Sequence, residues 1–225
     1  NTIERGEILW QAAINDGTDP AVHEAIYSYD WHYDDQGFAV LDNVNPVEWV
    51  GGDPADQTKA QVPGTDWQDI AYRNAILSNT SLTMTHGDEN RSALLNIGYI
   101  NNQGIMEYTD FEKISLRINT SHSFLDDKIV IGENLHLAKV TETPTGGDLG
   151  GPFNPLGRDY SGGNMHHLAV LLQPILPVYT EDGRWAGPLG GGFSDRNNVL
   201  HMLYIHRNNK KNHLSTFGDL YAEFK

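Results

Sequence analysis

Five aromatic side chains near the amino terminus are the residues best suited to hold a ligand. The run "IYSYDWHYDDQG" carries Tyr27, Tyr29, Trp31 and Tyr33 among acidic neighbours, and Trp49 follows downstream. Aromatic faces stack on sugar rings, while acidic or amide neighbours accept hydrogen bonds from hydroxyls. The competing use of the same rings, and the favoured one, is to pack this segment against a partner.

Other chemistry finds no constellation. The motifs G-x-S-x-G and H-E-x-x-H and a Walker-type lysine loop do not occur in the sequence. Gly190–Gly192 has no accompanying lysine to cradle a phosphate. His166–His167, and His201 with His206, lack the i,i+4 spacing of a helical metal pair. Asp34–Asp35 and Asp126–Asp127 are acidic pairs, but nothing sets two carboxylates across a cleft as glycoside hydrolysis needs. Calcium at "YDDQG" or "YTEDG" is chemically open, although neither follows the ligand rhythm of an EF-hand loop. The expectation is a chain without enzymatic activity, metal or cofactor.

With 225 residues the chain can bury a core, as one large domain or two small ones. Its net charge of -15 argues against a nucleic-acid partner, because the phosphate backbone would be repelled. It has no cysteine, which removes disulfides and zinc-thiolate sites and suits an oxidising envelope. No run of about 18 apolar residues offers a membrane helix. The chain starts at Asn1 without a signal peptide, the expectation for a processed protein or a piece of one.

Four stretches differ in pattern. Residues 1–65 read as irregular, with a short helix in "GEILWQAAIN" ended by "DGTDP". In 66–140, "DWQDIAYRNA" gives a helical turn or two capped by Asp66, and period-two combs follow. One comb joins Leu82 and Met84; the next joins Ala93, Leu95, Ile97 and Tyr99. In "DFEKISLRINTSH", Ile114, Leu116 and Ile118 alternate with Ser115, Arg117 and Asn119. Ile129, Ile131, Leu135 and Leu137 share the face after that. Tight turns at "GDEN" and "LDDK" make these antiparallel hairpins. Residues 141–212 are rich in Gly, Pro and Asn, with a small hairpin expected at "YTEDGRW" on Asp182–Gly183. Residues 213–225 return to alternation.

If strands run alternately up and down, both tight turns fall at one end of the sheet and the long connections at the other. Short turns at one rim and long loops at the other is the arrangement of a bacterial transmembrane β-barrel. The expected fold class is therefore all-β: antiparallel up-and-down strands of a partial barrel, with long irregular extracellular loops.

The stretch from Gly64 resembles the barrel-start region of the SusC/RagA family of TonB-dependent outer-membrane receptors. A T-D/N-W-x-D/E motif is matched by Thr65, Asp66, Trp67 and Asp69. A "Y-x-x-S-L-G-Y-L-x-x-x-G-I" element is matched in part, by Gly98, Tyr99, Gly104 and Ile105. A "DF-x-R-x-S-x-R-x-N" element is matched by Asp110, Phe111, Ser115, Arg117 and Asn119. The likeness extends through "LLQPILPVYTEDGRWAG" to the closing strand. These motif residues carry a structural expectation, Trp67 included.

The resemblance implies a bacterial outer-membrane importer of oligosaccharides or oligopeptides, driven by the TonB complex through an N-terminal region that this chain lacks. It also implies a SusD-like surface lipoprotein as partner and the lipid bilayer as surroundings. Ile114, Leu116 and Ile118 would face lipid, Arg117 and Asn119 the lumen, and Tyr99 an interfacial girdle. The family's plug and most of its strands fall outside the match. A large transporter barrel needs about 22 strands, so the five expected here form a piece of a wall. Glu133 departs from the pattern by putting a charge on the apolar face. The rival expectation is a soluble β-sandwich that binds carbohydrate through the same aromatics; a third is an adhesive surface protein.

Overall fold

The computed structural model describes residues 1–23, 26–51, 57–144, 165–187 and 196–225. The chain forms two compact units: Asn1–Tyr72 with Gly146–Ile205, and Arg73–Thr145 with His206–Lys225.

The first unit opens with helix α1 (Thr2–Asn15) and a single 3-10 turn at Pro20–His23. An antiparallel hairpin follows, β1 (Tyr27–Tyr33) with β2 (Ala39–Pro46), then a two-residue ladder of β3 (Trp49–Val50) and β4 (Thr58–Lys59). Helix α2 (Trp67–Ala71) closes the amino-terminal part, and α3 (Met165–Leu171) and α4 (Val199–His206) complete the unit. Its core includes Trp10, Tyr27, Val50, Trp67, Leu168, Ile175 and Val199.

Residues 1–65 are thus more ordered than their sequence suggested. Asn1 accepts from the Glu4 backbone N–H while the Glu4 side chain reaches back to the Asn1 backbone, a capping box. That cap starts the helix at Thr2, four residues before the expected Gly6, and offsets the helix cost of Gly6, about 1 kcal/mol. Within 141–212, Gly and Pro around short apolar runs hid α3 and α4. Each makes only about two turns, too few to show a helical period. Gly190–Gly192 lies outside the described residues.

The second unit is one antiparallel sheet. Its strands are β5 (Leu77–Gly87), β6 (Arg91–Gln103), β7 (Asp110–Phe124), β8 (Ile129–Thr143) and β9 (Lys211–Phe224), hydrogen-bonded in chain order. The links at 88–90 and 125–128 lie at one end of the sheet, and the link at 104–109, the end of β8 and the start of β9 lie at the other. Pairing without register breaks puts whole rows on one face. One row is Leu82, Ile97, Leu116, Leu137 and Thr216; the next is Met84, Leu95, Ile118, Leu135 and Gly218. The opposite face carries Thr83, Asn96, Arg117, His136 and Phe217 in one row. Polar side chains bond across strands on that face: Asn96 Nδ2 to Thr83 Oγ1 at 2.6 Å, and Asn134 Nδ2 to Asp219 Oδ2 at 3.1 Å.

The apolar face is bare. Leu82, Met84, Ile97, Ile114, Ile131, Leu214, Leu220 and Phe224 are all exposed. On β7 the apolar residues of this face include Ile114, Leu116 and Ile118; on β9 they are Leu214, level with Ile114, and Leu220, Ala222 and Phe224 toward the tight-turn end. Overall the described chain is β-rich with every ladder antiparallel, and the helices all start in the first unit.

Candidate functional site

The aromatic run lies on β1, and its rings turn toward α1. Tyr27 is 0% exposed; its ring and Val44 press against Gly6, where an added Cβ would come within 2.4 Å of Val44 Cγ1. Trp31 meets Trp10 edge-on at 6.4 Å, and Tyr27 stacks beside Tyr29 at 6.3 Å. Burial pushes the Tyr27 hydroxyl up to about 12 despite the opposing charge of Arg5, and burial raises Tyr29 as well. Tyr27 therefore offers no face to a ligand. Tyr33, 65% exposed and 5.2 Å from Trp31, is the open end of the run, and Trp49, 44% exposed, stands apart on β3.

The motif at Thr65–Asp69 ties distant segments together. Thr65 Oγ1 donates to the Leu176 carbonyl at 2.6 Å and the Thr65 backbone N–H to Pro174 at 2.7 Å. Trp67, 4% exposed, donates from Nε1 to the Gln173 carbonyl at 2.9 Å. Asp66 caps α2, accepting from the backbone of Gln68 and Asp69. The side chain of Asp69 itself is exposed.

The remaining motif residues lie in the sheet unit. Gly98 faces Ser115, whose Oγ would be 2.7 Å from a Cβ there. Gly104 opens the 104–109 link, which Arg73 clasps through the carbonyls of Gly104 and Thr109. Asp110 accepts from Thr143 Oγ1 at 2.9 Å and from Lys210 Nζ at 2.5 Å. Tyr99 OH accepts from Asn101 Nδ2 at 3.2 Å near the long-link end of β6. Phe111 is half-buried at the start of β7. Arg117 and Asn119 share the polar face.

A second aromatic group was not singled out from sequence. The expected hairpin at "YTEDGRW" is present, with a bridge pairing Tyr179 and Trp185 and the turn on Asp182–Gly183. Tyr179 lies 4.7 Å from Trp185, which stacks on His201 at 5.0 Å and 11° and meets Tyr204 at 5.5 Å. The signal was there: residues flanking a short hairpin meet across it, and positions 201 and 204 share a helix face. Burial lowers the pKa of His201, which favours the neutral ring. Hydrogen bonds from Thr180 and then Arg184 hold Asp182 down at about 2.

In each loop weighed for calcium one carboxylate is already engaged. Asp34 Oδ1 accepts from the backbone of Gln36 and Phe38, and Asp182 is engaged by Thr180 and Arg184. Among the described residues no group of three or more His, Asp or Glu side chains could hold a metal ion.

Comparison with known proteins follows the motif. No family model matches the chain. The TonB-dependent receptor SusC of Bacteroides thetaiotaomicron is 25% identical over 136 residues, which is 60% of this chain and 12% of that protein. This chain is similar to part of a SusC-type TonB-dependent receptor. Receptor P26 of Formosa agariphila is 26% identical over 168 residues, 68% of this chain and 15% of the relative. Receptor P3 of the same organism is 24% identical over 123 residues, 54% and 11% respectively. The SusC-like resemblance expected from sequence is thus found independently, and the chain spans roughly an eighth of the relatives it matches.

Proposed function

We propose that this chain is part of an outer-membrane TonB-dependent importer, in which β5–β9 form a run of barrel wall. The observation that carries the reading is the apolar face of the sheet, where Leu82, Ile97, Ile114, Ile131, Leu214 and Leu220 are exposed around the half-buried Leu116, Ile118, Leu135 and Leu137, opposite a polar face with Arg117 and Asn119. Hydrocarbon outside and water inside is the environment that suits both faces of a barrel strand. Strands of 11 to 15 residues are long enough to cross a bilayer at a tilt. The outermost strands, β5 and β9, leave backbone groups that need neighbouring strands, as in an unfinished barrel.

In this reading residues 1–65 and 141–212 act as extracellular segments of the receptor. They meet an oligosaccharide or oligopeptide and a SusD-like lipoprotein. The TonB complex acts through a part of the receptor outside this chain. The work is binding and gating, with no covalent chemistry.

A soluble carbohydrate-binding sandwich would use the same alternation, but it needs a second layer over the apolar face, and Leu82, Ile97, Ile114, Ile131, Leu214 and Leu220 on that face are exposed. Immunoblotting of fractionated cells with an antibody to this chain separates the two. The importer gives an outer-membrane band several times larger than 25.1 kDa. A 25 kDa band in the soluble fraction contradicts it.

A further inference from the structure

In the aromatic run Tyr27 is buried and Trp31 meets Trp10, while Tyr33 and Trp49 are exposed. The cluster at Tyr179 has a different character. Tyr179 is 48% exposed, and Trp185 stands behind it, itself braced by His201 and Tyr204. One ring is offered to solvent and three rings support it.

The support is rigid. Ala186 N donates to the Val178 carbonyl at 3.0 Å and Thr180 N to Arg184 at 2.8 Å, closing the hairpin. Asn198, buried at the start of α4, donates from Nδ2 to the carbonyls of Val178 and Ala186. Its Oδ1 accepts from the backbone of Leu200 and His201. One side chain therefore caps the helix and fastens the hairpin to it. A ring held this way loses little entropy when a ligand stacks on it.

The flanking groups suit a neutral partner. Asp182 and Arg184 pair at 2.7 Å on the exposed tip, so their charges offset one another while the tip still presents hydrogen-bonding groups. The net charge of -15 disfavours a polyanion.

We infer that Tyr179, backed by Trp185, is a stacking platform for a neutral pyranose unit of a glycan, with Asp182 and Arg184 hydrogen-bonding its hydroxyls. The inference rests on the import reading and adds to it a site and a ligand class. The C–H face of a pyranose packs on the open face of Tyr179, and the sugar hydroxyls reach the paired carboxylate and guanidinium at the hairpin tip.

The test uses the whole receptor that carries this chain, purified in detergent. It is applied to an array of neutral, uronic-acid and sulfated oligosaccharides and to pooled oligopeptides. Binding to neutral glycans is expected, weakened about tenfold or more by Tyr179→Ala. Tyr179→Phe should retain most of it, and Val22→Ala, at an exposed position in the same unit, should leave it unchanged. Heat-shifted migration on gels checks that each variant keeps its barrel. Unchanged binding by Tyr179→Ala, preference for peptides or acidic glycans, or no glycan bound at all each overturns the platform. Uptake of the bound glycan by cells is followed separately. Normal uptake with an indifferent Tyr179→Ala sinks the platform alone, whereas a receptor absent from the outer membrane sinks the import reading.

Discussion

The ring of Tyr221 lies across Gly132 on the neighbouring strand, so that a Cβ on Gly132 would come within 2.4 Å of Tyr221 Cζ. The pair sits on the polar face of the sheet, where a large ring covers a backbone left bare by glycine. Gly132→Ala drives the new methyl into that ring and should cost about 1–3 kcal/mol of stability. Tyr221→Ala in the same protein should recover most of the loss. Urea midpoints of the receptor in lipid measure both, and equal destabilisation in the double variant would show that the contact is unimportant.

Tyr27 gives a prediction with a pH signature. Its hydroxyl is buried and has no hydrogen-bond partner among the described residues. Tyr27→Phe should be neutral or mildly stabilising, because removing an unsatisfied buried group relieves a desolvation cost. The folded pKa lies near 12, above the ordinary 10. Its contribution is thus intact below pH 10 and is lost as the pH rises from 10 to 12, where the unfolded chain ionises first. The Phe variant should lose less stability than the parent across that window; parallel curves would contradict the assignment.

Trp67→Phe keeps much of the apolar volume but removes the Nε1 donor, so the Gln173 carbonyl keeps the Leu176 N–H and loses the bond that ties it to α2. The expected cost is about 0.5–1.5 kcal/mol. Because the bond joins residues 106 apart in sequence, limited proteolysis should then cut sooner around 172–177. A cleavage pattern identical to the parent's would show that other bonds suffice.

Glu133 occupies the apolar face between Thr120 and Leu220, with Ile131 and Leu135 on either side along β8. In the barrel-wall reading, lipid on that face penalises the carboxylate, by less than the roughly 2–4 kcal/mol of a basic residue at the midplane. Glu133→Leu should raise the denaturant midpoint of the receptor in vesicles and leave uptake intact. A lowered midpoint would mean that Glu133 has a partner in the assembled receptor.

The sheet was largely legible because period-two alternation is a local signal. Leu116 and Arg117 point to opposite faces whatever surrounds them, and the tight turns at 88–90 and 125–128 declare themselves in "GDEN" and "LDDK". The hairpin at Asp182–Gly183 was visible for the same reason. What the sequence hid was non-local. Helix α1 begins at Thr2 through a cap formed by Asn1 and Glu4, just ahead of Gly6, and α3 and α4 are too short to show a period. Gln173 and Leu176 meet the Thr65–Trp67 motif from more than a hundred residues away, and no spacing announces such a bond. The aromatic run was recognised as special, but the pattern that would present Tyr27 to a ligand also presents it to α1. Only the fold distinguishes the two.

The most direct test of the barrel-wall claim measures where each face of the sheet looks. This chain has no cysteine, so single cysteines placed at 116, 118, 135 and 137, and at 117, 119 and 136, report without interference from it. Each variant of the whole receptor is spin-labelled and reconstituted in phospholipid vesicles. The account predicts that labels at Leu116, Ile118, Leu135 and Leu137 collide with oxygen dissolved in lipid. Labels at Arg117, Asn119 and His136 should collide instead with a water-soluble nickel chelate. Equal water access on both faces, or protection of the Leu116 face from lipid and water alike, would contradict it.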